Sequence, residues 1–168
     1  MINAMKRMFT VGLLLALSLP LLRAQTRFSD QDSSLRDVKT FKVIVEGIQR
    51  NAPGLTPDDF QTDAELRCRQ AGIKLENTPG VYLYINVGLQ ELFYANGRSE
   101  GVYGVSVRVE FRQPVLLERD PSIRVIAITW SAASVGTVDA RDLRAFCRNS
   151  VRDKVDKFLN AFLQQNPK

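Results

Sequence analysis

Histidine is absent from all 168 residues. That removes the Ser-His-Asp and Cys-His arrangements of nucleophilic catalysis and the commonest ligand for zinc, copper and iron. The two cysteines, Cys68 and Cys147, lie far apart in the chain and supply too few soft ligands for a closed structural zinc site. Carboxylates remain as candidate acids and bases. Asp58-Asp59 follows Thr56-Pro57 and reads as a helix start, where acids favour the positive end of the helix. Glu91 and Glu110 fall within central strands. A glycoside hydrolase needs two such acids facing one another roughly 5–10 Å apart. Glu91 interrupts an apolar face, which fits a strand end or a bulge. No Ser-x-x-Lys element and no Gly-x-Ser-x-Gly elbow occurs. Ser131, Ser134 and Gly136 read as a strand-to-helix connection. The stretch GRSEGVYG, Gly97 to Gly104, joins two strands and so lacks the helix N-terminus that a phosphate loop requires. The sequence therefore offers no catalytic residue, no cofactor site and no metal site.

Two surfaces could carry binding. Tyr82, Tyr84, Arg108 and Arg112 fall on the polar side of two alternating strands, and tyrosine with arginine is the composition favoured at interfaces. The alternative is an ordinary solvated sheet face, where tyrosine is common for its strand propensity. On the last helix Arg141, Arg144, Arg148 and Arg152 span about 80° of arc. They flank the apolar stripe, either to grip an acidic partner or to lay their stems against the core.

These residues need elements to position them. Val38 to Ile48 alternates as a half-buried strand, with Phe41, Val43 and Val45 on one side and Ile44 as an apolar exception on the other. Phe60, Ala64, Cys68 and Ala71 form a helical stripe that Gly72 ends. Val81 to Tyr94 and Val105 to Phe111 have odd-numbered apolar positions, so odd must pair with odd in their hairpin. A two-residue Asn96-Gly97 turn would break that parity, so the loop is longer or carries a bulge. Ile123 to Trp130 is a fourth strand, with Ile126, Ile128 and Trp130 on one side. Asp139 caps a last helix whose stripe is Leu143, Cys147, Val151, Val155, Phe158 and Phe162. The order β-α-β-β-β-α predicts an α+β domain: a four-stranded, mixed and mostly antiparallel sheet with both helices on one face. Alternation, rather than solidly apolar strands, predicts that the other face is open.

Before that domain, Lys6 and Arg7 precede the uncharged run Val11 to Leu22, and Leu22-Arg23-Ala24 ends it. This is the plan of a cleavable signal peptide over residues 1–24. The run is too short to span a bilayer, which takes roughly 20 apolar residues. Gln25 rather than cysteine follows, which excludes a lipoprotein. The segment takes Lys6, Arg7 and Arg23 with it, and most of the excess of 23 basic over 18 acidic residues goes too. Nucleic acid is thus not an expected partner. Residues 25–36 read as a polar, flexible leader, and 37–168 as one domain. An oxidising compartment favours a Cys68–Cys147 disulfide, since each lies on the apolar stripe of its own helix. Two separately buried thiols are the alternative.

The element order behind a signal peptide resembles small bacterial envelope domains, the N-terminal domain of TolB and the LptE-type outer-membrane assembly proteins. The closing segment, Asp156-Lys157-Phe158-Leu159-Asn160 to Asn166-Pro167-Lys168, is similar to the tails of uncharacterised exported bacterial proteins. Architecture alone does not carry function. Export, the lack of histidine and of a nucleophile motif, and the open sheet face predict a periplasmic or secreted, non-catalytic binding or accessory module of the bacterial envelope. Another envelope protein is its candidate partner. The other class is a carboxylate-dependent enzyme such as a glycoside hydrolase.

Overall fold

A computed structural model describes residues 30–46 and 54–167. The expected signal peptide, Gln25 at its boundary and the break at Asn51 to Pro53 lie outside these residues. Strand β1 (Thr40–Glu46) leads to helix α1 (Pro57–Gln70), a short strand β2 (Lys74–Leu75), strand β3 (Tyr82–Phe93), strand β4 (Ser99–Leu117), strand β5 (Asp120–Asp139) and helix α2 (Leu143–Gln165). The α+β class is as expected, but the sheet has five strands, ordered β2-β1-β3-β4-β5. The extra strand is two residues long, too short to show a period. It pairs parallel to β1, which is itself parallel to β3.

Helix α1 starts as its sequence dictates. Thr56 caps it by accepting from the Asp59 N–H, and Pro57 stands at the first helical position. Helix α2 starts at Leu143 behind Asp142, whose side chain makes no capping bond. Asp139, the expected cap, is the last residue of β5 instead. The expected stripe of α2 is buried, and Lys154, Leu159 and Ala161 are buried with it.

The hairpin of β3 and β4 keeps odd with odd: Leu83 opposite Phe111, Ile85 opposite Val109, Val87 opposite Val107 and Leu89 opposite Val105. Ala95-Asn96-Gly97 forms a three-residue loop between Tyr94 and Arg98, whose backbones bond. A register shift follows between Glu91 and Phe93. These odd-numbered residues line the core beneath both helices with Phe41 and Val43, while Val45 is partly buried at its margin. Phe41 meets Phe111 and Phe158 edge to face, both at 5.5 Å, and Trp130 meets Phe158 at 5.3 Å.

Strand β5 departs from expectation twice. It runs on through Ser131, Ser134 and Gly136, which are strand residues rather than a connection. At Gly136 Phe146 lies close above: a Cβ there would stand 3.1 Å from its ring. The second departure is a bulge. Phe111 pairs with Trp130 but Arg112 with Ile128, which leaves Thr129 as the extra residue. Trp130 therefore enters the core, whereas Ile126 and Ile128 turn to the opposite face and are exposed.

The expected leader is ordered within its described part. Gln31–Leu35 is a 3-10 turn capped by Asp30, and Leu35 is fully buried in the core. Its polar residues close the outer edge of β5. The Trp130 indole donates to Asp32 at 2.8 Å, Ser34 donates to the Thr129 carbonyl at 3.0 Å, and the Ser131 N–H donates to Gln31 at 3.2 Å. Gln113 donates to both the Ser34 carbonyl and the Thr129 hydroxyl at 2.9 Å. At the far end Asn166 donates to the Leu35 carbonyl at 2.8 Å.

No disulfide forms; Cys68 and Cys147 are separate buried thiols. The helices run in the same direction, since Asp63 on α1 pairs with Arg148 and Arg152, and Arg67 further along pairs with Asp156 further along α2. Cys68 is thus level with the neighbourhood of Asp156. Cys147 lies nine residues earlier on α2, or about 14 Å along its axis at about 1.5 Å per residue. A disulfide needs Cα atoms within about 7 Å.

Candidate functional site: the open sheet face

The even-numbered residues of β1, β3 and β4 point away from both helices, and pairing brings them together. Tyr82 stands opposite Arg112, Tyr84 opposite Glu110 and Asn86 opposite Arg108. Ile44, the apolar exception of β1, stands opposite Tyr84. The four candidate residues of this face, Tyr82, Tyr84, Arg108 and Arg112, therefore share one patch.

A charge network runs across three strands. Arg112 donates from Nε at 3.0 Å and from Nη2 at 2.5 Å to the same oxygen of Glu110. Arg108 holds the other oxygen at 4.0 Å. Glu110 is only 5% exposed, and two guanidiniums compensate its burial. The Arg112 guanidinium also lies 3.9 Å above the Tyr84 ring. Tyr84 in turn donates to the Glu46 carboxylate at 3.0 Å. Burial, and then that carboxylate, holds the Tyr84 hydroxyl above the ordinary phenol range. Lys42 of β1 stands opposite Tyr82 on the same face, so three bases meet two acids and the patch is polar, aromatic and net positive.

Beside it the face dips. Gly88, Gln90, Gly104, Ser106 and Val135 border a shallow depression of about 290 Å³. A side chain on Gly88 would fill it, since a Cβ there would stand 2.5 Å from the Ser106 hydroxyl. A second depression of about 330 Å³ lies between the 3-10 turn, β5 and α2, where Asp32, Trp130 and Lys157 contribute to its wall.

Two of the three candidate arginines of α2 are engaged within the molecule. Arg148 donates to Asp63 from Nε at 3.1 Å and Nη2 at 2.7 Å, and Arg152 lies 3.5 Å from the same carboxylate. Both tie α2 to α1. Arg144 runs its stem past Gly54, where a Cβ would meet its Cδ at 3.9 Å. Sequence reasoning missed Asp63 and Glu46, the acids that complete these networks; helical and strand spacing carry no record of which acid lies across an interface.

The two candidate carboxylates do not converge. Glu91 pairs with Tyr103 on the core side of the sheet end, whereas Glu110 pairs with Tyr84 on the open face. Seven residues of β4 separate the two pairs, about 23 Å at 3.3 Å per residue. Glu91 accepts from the Ser99 hydroxyl at 2.5 Å. Among the described residues no group of three or more Cys, Asp or Glu side chains could hold a metal ion, and no helix is long and apolar enough to cross a membrane.

No protein-family model matches the chain, and no curated protein matches it. Among the solved structures similar in part are two bacterial lipoproteins. One is the rare lipoprotein B from Shewanella oneidensis, 12% identical, with 74% of this chain and 94% of that chain covered and a TM-score of 0.41. The other is a minor lipoprotein from Acinetobacter baumannii, 11% identical, with 74% and 90% covered and a TM-score of 0.39.

Proposed function

We propose that this chain is an exported, non-catalytic binding or accessory module of the bacterial cell envelope, working in the periplasm or outside the cell through its open sheet face. The observation that carries this reading is the uncovered face itself. Among the described residues no helix covers one side of β1, β3 and β4, and that side holds Tyr84, Arg108 and Arg112 in one network around Glu110, with Tyr82 opposite Arg112. Preformed aromatic and guanidinium groups bind a protein partner with little ordering cost. The separation of Glu91 from Glu110 supports binding over carboxylate catalysis. Export rests on the signal-peptide plan of residues 1–24, and Gln25 at the cleavage point leaves no thiol for lipid.

Two measurements test this. Intact mass of the exported chain is expected to correspond to a start at Gln25 with no lipid; a mass retaining Met1 to Ala24 defeats cleavage. The immobilised chain is expected to retain one partner reproducibly from envelope extract, and Tyr82→Ala with Arg108→Ala to lose it by tenfold or more, about 1.4 kcal/mol. Arg112 is left intact, because its removal would strand the buried Glu110. Retention unchanged by both substitutions would move the binding surface elsewhere.

A further inference from the structure

The open face carries a patterned charge with two cations left over. Glu110 is engaged chiefly by Arg112, which donates twice to one of its oxygens. Arg108 reaches the other oxygen only at 4.0 Å, and its side chain is 58% exposed. Lys42, opposite Tyr82, meets no carboxylate among the described residues. Lys42 and Arg108 stand two strands and four residues apart, or about 16 Å at 4.8 Å per strand and 3.3 Å per residue. The depression beside Arg108 is a separate observation. Two strand glycines, Gly88 and Gly104, border it, and Val135, 86% exposed, stands at its outer side. Neither glycine has a positive φ. A Cβ on Gly104 would meet only Gln90, at 3.6 Å from its carbonyl oxygen and 4.0 Å from its own Cβ. Neither backbone conformation nor crowding therefore requires glycine at 104. A glycine inside a strand weakens it and leaves room for a ligand or another backbone to come close.

We propose that the open face takes an extended, acidic polypeptide segment of a partner protein. One apolar side chain of that segment sits in the depression at Gly88 and Gly104, one carboxylate meets Arg108 and a second meets Lys42. The inference rests on the proposed binding role of this face and names the partner's chemistry. Register sets the spacing. Ser106 borders the depression, Arg108 is two residues along the same strand, and the row of Arg112, Tyr82 and Lys42 lies four residues beyond. A segment lying along β3 and β4 meets these points with side chains two and then four residues apart, all on one of its faces. The depression, about 290 Å³, falls just below the range of small-molecule pockets and suits a single side chain. Charge pattern favours a polypeptide over a membrane. A uniformly anionic surface would press on Glu46 and Glu110 as well as on the cations, and like charges so juxtaposed reject a partner. A polypeptide places its carboxylates one at a time and clears both acids.

The probe is a labelled serine-rich peptide with one phenylalanine, a glutamate two residues after it and a second glutamate four residues further. Its reversed sequence is tested beside it, since the segment can run either way. Fluorescence anisotropy with the full chain at low salt is expected to give a Kd below about 1 mM for one of the two. Glutamine in place of both glutamates is expected to weaken binding about fivefold or more, and Lys42→Gln or Arg108→Gln about twofold to fivefold each. Alanine in place of the phenylalanine is expected to cost about fivefold or more. Gly104→Val fills the depression and is expected to keep or raise the melting temperature, while it abolishes the preference for the phenylalanine peptide. Should Gly104→Val fail to fold, Gly104→Ala answers the same question. Vesicles of phosphatidylglycerol are expected not to compete with the peptide; competition by them makes the face a membrane contact and overturns the proposal. So does the absence of binding by either peptide at about 1 mM, or binding indifferent to the glutamines or to Gly104→Val. Partner retention that is lost with Tyr82→Ala and Arg108→Ala while both peptides fail overturns the acidic chemistry alone and leaves the binding role of the face standing.

Discussion

Burial, not redox chemistry, governs the two cysteines. Desolvation, and then the nearby Glu65 carboxylate, push the Cys68 thiol up to about 12 from 9.0, and desolvation pushes Cys147 up to about 11. Each folded value exceeds the unfolded one, so the neutral thiols contribute stability in full below about pH 9 that is lost as pH rises through the folded values. Denaturation at a series of alkaline pH values is expected to show this decline. Cys68→Ala should reduce its slope, whatever constant cost the smaller side chain adds. Thiol titration of the unfolded, unreduced chain is expected to find two free thiols. Lys154 shows the opposite sign. It is buried on α2, with the Ser150 carbonyl 3.3 Å from its ammonium. Burial, and then Lys157, lower its pKa. Its charge is therefore a cost below the folded value, relieved as pH rises toward the ordinary 10.5. Lys154→Met is expected to raise the melting temperature at neutral pH, by about 1 kcal/mol of stability, with a smaller gain at alkaline pH.

At the scale of elements, the sheet core should respond to charge and the 3-10 turn to truncation. Val107 is fully buried, so Val107→Asp is expected to cost several kcal/mol. Leu35→Ala should cost about 2–5 kcal/mol, as a chemical-denaturation midpoint will show; an unchanged midpoint would detach the turn from the core. The first effect was legible from the sequence, because strict alternation in β3 and β4 assigns every inward residue by parity. The second was not. Gln31, Asp32 and Ser34 look like solvated loop residues, and their polarity in fact serves to close the edge of β5. The far half of β5 was illegible for a related reason: Ser131, Ser134 and Gly136 are small, Gly136 lying beneath Phe146, and small residues read as a turn. The bulge at Thr129 reversed Ile126 and Ile128, since one inserted residue exchanges faces without altering the alternating pattern. The candidate site fared likewise. Parity placed the tyrosines and arginines of the open face together, while the tie of Arg148 and Arg152 to Asp63 depended on how far one helix slides along the other.

In the whole molecule, the sheet divides the chain into a closed and an open side. Both helices, the aromatic cluster and the buried thiols lie on the closed side, which therefore carries stability. The open side holds the Tyr84, Glu110 and Arg112 network and the exposed Ile126 and Ile128. The binding tests above address this side, and its exposed residues can change there with little effect on folding. The turn at Gln31–Leu35 has a temporal meaning as well. Its partners Gln113, Thr129, Trp130, Ser131 and Asn166 lie 79 to 131 residues downstream. A ribosome makes the N-terminal part first, so the earliest-made piece of the described fold is among the last to find its place. Until α2 has emerged, Leu35 has no finished core to enter and the edge of β5 has no cap. Nascent chains of this protein are thus held open by their own topology, and folding is completed only once synthesis is.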